Sequence, residues 1–179
     1  MRELSHNAAG PRIVWPRGMA GFRALLLADQ LTCLDYHWVG EGNRTVLCSG
    51  DECRLCDHGY LRRWKAYCAC LSSPSRPNVA ELTWSAVRGV VASMTDQPRF
   101  RGAEVHLRRC SEARTARVEG FFVRRHTSDI LQPTFDILPI LASLFGRRPR
   151  VELHDAAELC ELLFSVDWES RADAKGGQL

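Results

Sequence analysis

Short alternating segments bounded by turns, one helical stretch set among them and a cysteine-rich loop predict a mainly β fold with C-terminal helices. The specific expectation is a five-stranded, OB-fold-like barrel with a metal loop inserted at residues 40–62. A five-stranded sandwich or an α+β roll fits the pattern nearly as well. The chain of 179 residues has room for one ordinary domain with an appendage. At 45% hydrophobic and 25% charged, its composition is that of a globular chain rather than a disordered or fibrous one.

Residues 1–18 carry three Arg and two Pro without a period, which reads as a flexible arm. Barrel strands are expected within residues 19–130, at Phe22–Leu27, Cys33–Val39, Trp64–Leu71 and Val79–Thr83. Ser85–Met94 reads as a short helix despite Gly89. Ala103–Arg109 alternates, with Ala103, Val105 and Leu107 on one face and Glu104, His106 and Arg108 on the other. Arg117–Arg125 is its hairpin partner across a polar turn. A helical segment at 131–170 holds two helices, Asp136–Phe145, stopped at Gly146, and Asp155–Val166, capped by Asp155. Residues 171–179 read as a disordered tail.

The charge is uneven. Residues 1–150 hold 22 basic and 14 acidic residues, whereas residues 151–179 hold two and seven. A basic body with an acidic end suits a polyanion-binding surface whose tail competes for the groove or recruits partners; chance plus an acidic amphipathic helix explains it equally well. No apolar run of about 18 residues is present, so no membrane span is expected. The start, MRELSHNAAGPR, lacks the apolar core of a signal peptide. A cytoplasmic location is therefore expected, where thiols stay reduced.

Eight cysteines in a reducing compartment point to metal ligation for the clustered ones. The isolated Cys33, Cys110 and Cys160 read as small buried residues. In CSGDECRLCDH, Cys53 and Cys56 form a C-x2-C pair that can grip one tetrahedral ion, and Cys48 lies within loop reach. His37 ends a predicted strand leading into the loop and can point back over it as the fourth ligand. His58 follows Cys56 so closely that it would need a sharp bend, and Cys68 and Cys70 read more naturally as core. A thioredoxin-type centre would leave Cys48 unexplained. A zinc deaminase would need H-x-E and P-C-x-x-C, but here the histidine opens His37-Trp38-Val39 and Glu52 precedes Cys53. Three Cys and one His close the coordination sphere, as a structural Zn2+ requires.

Basic and aromatic residues interleave in Tyr60-Leu61-Arg62-Arg63-Trp64-Lys65-Ala66-Tyr67, directly after the loop. A second set, on the last predicted hairpin, includes Arg101, Arg108, Arg109, Arg114, Arg117, Phe121, Phe122, Arg124 and Arg125. A single-strand binder needs cations along phosphates and flat rings under bases. Singly, each of these residues reads as a solvated Arg or a core aromatic. No phosphate-binding Gly-rich loop, G-x-S-x-G elbow or carboxylate pair argues for an enzyme.

The run His37…Cys48…Cys53-Arg54-Leu55-Cys56, then Trp64-Lys65-Ala66-Tyr67, resembles the zinc-containing OB-fold single-stranded DNA-binding proteins of T4-like phages. Phe100–Arg109 is similar to a later passage in related binders, so the resemblance covers roughly residues 33–125. It implies His37, Cys48, Cys53 and Cys56 as zinc ligands and binding of single-stranded nucleic acid, DNA in the first instance. On this expectation Arg62, Arg63, Lys65, Arg101, Arg108 and Arg124 meet phosphates, while Trp64, Tyr67 and Phe122 stack bases. The competing expectation is a zinc-braced interaction module. It would dock a protein partner through the acidic C-terminal helix, using Leu159, Leu162, Leu163 and Val166.

Overall fold

The computed structural model describes residues 10–40, 44–72, 77–94, 98–113, 115–127 and 134–164. Its strands are β1 (Ile13–Val14), β2 (Phe22–Leu26), β3 (Leu31–Val39), β4 (Arg44–Leu47), β5 (Arg62–Leu71), β6 (Pro77–Thr83), β7 (Ala103–Arg109), β8 (Val118–Arg125) and β9 (Glu152–His154). The helices are α1 (Arg54–Asp57), α2 (Trp84–Ala92), α3 (Leu138–Phe145) and α4 (Ala156–Phe164). Arg114, Val166 and the tail at 171–179 lie outside the described residues, as do the first nine residues of the expected arm.

All nine strands belong to one mixed sheet organised around β5. One edge of β5 pairs with β6 from Lys65–Thr83 to Leu71–Pro77. The other edge takes β3 from Arg62 to Tyr67, then β2 at Cys70 and Leu71. Strands β2 and β3 are thus two halves of one interrupted strand. Leu27 N still donates to Ala69 O at 2.9 Å, and pairing resumes at Thr32–Tyr67 once residues 28–30 have looped out. Past that break the sheet forks: β2 carries β7 and β8, while β3 carries β4 and β9.

Because side chains alternate along β5, the two faces of the sheet build two cores. Ala66, Cys68 and Cys70 point into the larger one, with Leu26, Leu82, Val105, Leu107 and the inward faces of α2 and α4. Tyr67 and Ala69 point the other way, into a smaller core with Leu27, Leu34, Val79 and α3 residue Leu141. The α4 cap is reciprocal: Asp155 Oδ1 accepts from Ala157 N and Glu158 N at 2.9 Å, and Glu158 Oε2 accepts from Asp155 N at 3.0 Å. Leu159 and Leu163 are fully buried in the larger core, whereas Leu162 is exposed.

The sheet is mainly β with C-terminal helices, as expected, but it has nine strands and is not closed. Two local substitutions of partner explain the missing seam. The outer edge of β6 is taken by β1, running parallel with Ile13 opposite Val79. The outer edge of β8 is taken by α2: Ser85 Oγ donates to Val118 O at 2.7 Å, and Phe122 N donates to Ser93 Oγ at 2.8 Å. Residues 12–14 therefore belong to the sheet rather than to a free arm. Cys110 is exposed rather than buried, because it leaves the end of β7 into the turn.

The glycine inside α2 has a packing reason. A Cβ on Gly89 would lie 2.3 Å from Gly120 O, and one on Gly120 would lie 2.4 Å from Ala86 O. Helix and strand touch backbone to backbone, which leaves no room for a methyl group. Alanine at position 89 should raise helix propensity by about 1 kcal/mol yet overpack this contact by about 1–3 kcal/mol. Gly89→Ala is expected to lower the urea midpoint. A raised midpoint would show that the contact is loose.

Candidate functional site

His37 sits on β3, fully buried, with its side chain on the opposite face from Trp38. After β4 the chain returns alongside β3: Cys48 N donates to Asp35 O at 3.0 Å, which places Cys48 beside His37. Gly50 then adopts φ +87°, a left-handed turn that favours glycine, and accepts from Cys53 N at 3.2 Å. The single helical turn α1 carries Cys56. Gly59, at φ +76°, closes it and sends the chain into β5, with Tyr60 N on Leu55 O at 2.9 Å.

These turns bring four ligand atoms of His37, Cys48, Cys53 and Cys56 within 4.8 Å of one another. His37 Nε2 lies 3.4 Å from Cys53 Sγ and 3.5 Å from Cys56 Sγ, and the Cys48 and Cys56 sulfurs are 3.7 Å apart. His37 Nδ1 is 3.2 Å from Leu61 O. Donation from Nδ1–H to that carbonyl fixes the tautomer that leaves the Nε2 lone pair facing the sulfurs, the outer-shell arrangement of a ligating histidine. A buried set of three sulfurs and one imidazole can hold a metal ion, and its soft donors disfavour calcium or magnesium. The backbone amide of Ser49, with those of Cys56 and Leu55, holds the Cys53 thiol down to about 5, against the opposing effect of burial. Burial, then the neighbouring Cys48 and Cys53, push Cys56 up to about 11. Three sulfurs this close repel one another as thiolates, so a cation among them relieves the charge.

The fourth position is His37. His58 is exposed, on the outer side of α1, with its ring 2.6 Å from Arg54 O. Cys68 and Cys70 are core residues whose thiols burial raises to about 12.

The expected nucleic-acid residues are spread over several environments. Trp64 points into the larger core, edge-on to Trp84 with centroids 5.0 Å apart. Tyr67 is buried in the smaller core and donates to Glu81 Oε2 at 3.1 Å. Tyr67 is thus closed to solvent, whereas Trp64 is only partly buried and lines a small cavity with Arg62 and Asp35. Phe122 is half-buried beneath Arg125. Arg62 is held by Asp35 at 2.6 Å, and Lys65 by Glu81 at 2.8 Å. Arg63 is exposed, with no ion-pair partner among the described residues. Arg101 donates to Leu27 O and ties β2 to the start of β7. Arg108 and Arg117 share Glu119. Arg124 meets Glu104 at 2.7 Å, together with His126 at 2.7 Å and Arg23 at 3.2 Å.

Sequence reasoning passed over Trp15 and Trp38, both more than two-fifths exposed. For Trp38 the signal was available: a neighbour of an inward-facing ligand on a strand must face outward. No protein-family model matches the chain, and neither a curated protein nor a solved structure is significantly similar to it. Among the described residues, no helix is long and apolar enough to cross a membrane.

Two outcomes are expected from this geometry. Cys53→Ser should lose the bound metal and about 4 kcal/mol or more of stability, whereas His58→Ala should keep both, as read by metal analysis and thermal melting. Metal retained by Cys53→Ser would contradict the ligand set. The second outcome concerns Glu104. His126, then Arg124 and Arg23, hold its carboxyl down to about 2, outweighing burial. A folded pKa below the unfolded one stabilises the fold above the unfolded value of about 4.5, and that contribution is lost as pH falls towards 2. Two of its partners are exposed, so the contribution is about 2 kcal/mol. Glu104→Gln should flatten that part of the acid unfolding curve; an unchanged curve would show the cluster is silent.

Proposed function

We propose that the chain is a zinc-stabilised, OB-like protein that binds single-stranded nucleic acid through backbone electrostatics and base stacking. The observation that carries this reading is the connectivity. Taking β2 and β3 as one interrupted first strand, the path runs first strand, β5, β6, helix α2, β7, β8. Its lateral pairings are β6–β5, β5–first strand, first strand–β7 and β7–β8. That order supports an OB-like reading in which β1 and α2 stand where the third and fifth strands would meet. In OB folds the second and third strands and the connection between first and second strands contact oligonucleotides. Here that connection carries the candidate metal knuckle, and the second strand carries Arg62, Arg63 and Lys65.

The metal reading rests on donor chemistry and size. Zinc bonds of about 2.3 Å to sulfur and about 2.0 Å to nitrogen give tetrahedral edges of about 3.8 Å between sulfurs and about 3.5 Å between sulfur and nitrogen. The separations of 3.7, 3.4 and 3.5 Å fit that tetrahedron. A closed Cys3His sphere leaves no place for a reacting water, so zinc acts here as a staple rather than a catalyst. Leu159 and Leu163 are spent on the protein's own core, which removes half of the apolar stripe an interaction helix would offer.

The test is a titration of the metal-loaded protein with single-stranded and duplex oligonucleotides at two salt concentrations. Single strands should bind more tightly than duplex, and affinity should fall linearly in log–log form with added salt, by roughly 0.7 per phosphate contact. No binding to any single strand at low salt would overturn the proposal.

A further inference from the structure

We infer that bases stack on the outer face of β3 and β5, in the groove between Trp38 and Trp15, and not on Trp64, Tyr67 or Phe122. The inference rests on the single-strand reading above and gives that site its location. The groove encloses about 680 Å³ and is lined by Trp15, Trp38, Lys65, Arg109 and, from α3, Leu144. Register puts its parts on one face. Tyr36 lies opposite Arg63 and Leu34 opposite Lys65, so Trp38, Tyr36, Arg63 and Lys65 share the side that carries the smaller core. From the far flank, β1 sets Ile13 against Val79 on that same side, and Trp15, two residues on, follows it.

Helix α3 covers the lower part of this face, with Phe145 edge-on to Tyr67, and stops at Gly146. Among the described residues, none covers the upper part, which lies between two exposed indoles, 45% and 43% accessible. Exposed tryptophans in a cleft want a flat apolar partner, and the adjacent charges say which kind. Lys65 stands 5.0 Å over the Tyr36 ring and Arg17 stands 5.9 Å over Trp15. Arg63 and Arg109 add two more cations, against the single carboxylate of Glu81. A ligand that is flat, apolar and regularly anionic matches that combination: a base with its phosphate. The outer side of β8 also exposes an aromatic ring, Phe121 under Arg108, but it lines none of this groove and serves as a control.

The experiment uses the full-length, metal-loaded protein and labelled oligo(dT), beside an abasic phosphodiester of equal length. Trp15→Ala and Trp38→Ala should each weaken oligo(dT) binding by about tenfold. Trp15→Phe and Trp38→Phe should recover most of that loss, and Phe121→Ala should behave as the parent. The abasic strand should bind the parent more weakly and be indifferent to both Ala variants. Equal metal content and melting temperature in all variants would exclude a folding effect. If the parent binds oligo(dT) but both Ala variants bind as well as it does, the groove is not the stacking site, while the single-strand reading stands. If polyglutamate of matched charge displaces oligo(dT) as well as dT itself does, the groove reads charge alone and the stacking inference falls. If the parent binds no single strand, both fall together.

Discussion

Four side chains meet at one corner, where three stretches of chain joined by β3–β4 and β3–β5 pairing converge. His37 belongs to β3, Cys48 to the end of the β4 return, and Cys53 and Cys56 to the turn that feeds β5. The loop between β3 and β5 is too short and too polar to build a core of its own. An ion held at this corner would add cohesion, because ligand bonds form only when all three stretches are in place. The imidazole links the corner to the sheet in a second way: its other nitrogen meets Leu61 O, one residue before β5 begins. Register between β3 and β5 is therefore fixed from the end at which His37 faces Arg62. With that register fixed, a slip of one residue would turn Trp38 inward and His37 outward.

The same register positions the proposed ligand face. Once His37 and Cys33 are committed to the inner side, Tyr36 and Trp38 must face out, beside Arg63 and Lys65. The rest of the molecule manages the sheet's edges. β1 covers β6, α2 covers β8, and α3 shields the lower part of the outer face, where Tyr67 and Val79 need cover. Among the described residues, what remains open on that side is the upper groove, between Trp15, Trp38 and the C-terminal end of α3. On the proposed reading, a cationic and aromatic strip beside the knuckle would grip a flexible polyanion at little ordering cost to the protein.

Much of this was legible in the sequence, for local reasons. Ala103–Arg109 was readable to the residue because strict alternation marks a half-buried strand. Asp155 was readable as a cap because Glu158 sits three residues on. The cluster was readable because donor type and short spacing restrict it, and because the strand of His37 leads into the loop. β1, β4 and β9 were not readable: they are two to four residues long, and their pairing is set by distant partners. The surroundings of Trp64 and Tyr67 were not readable for a different reason. Alternation tells which residues share a face, but not which face is covered, and β5 is covered on both over most of its length. The open seam was hidden too, since nothing local announces that Ser85 and Ser93 will take the hydrogen bonds of a missing strand.

If a metal at this corner fixes β3 against β5, and single strands lie on the outer face this creates, both events must mark the same two strands. Amide hydrogen exchange, followed by mass spectrometry on the metal-loaded protein, the chelated protein and the loaded protein with oligo(dT), tests both halves at once. Chelation should speed exchange in residues 34–39 and 62–67 well before it affects β7 and β8. Oligo(dT) should slow exchange in those same two segments and in residues 13–17. Exchange in β3 and β5 indifferent to chelation, or a footprint confined to β8 and α4, would contradict the account.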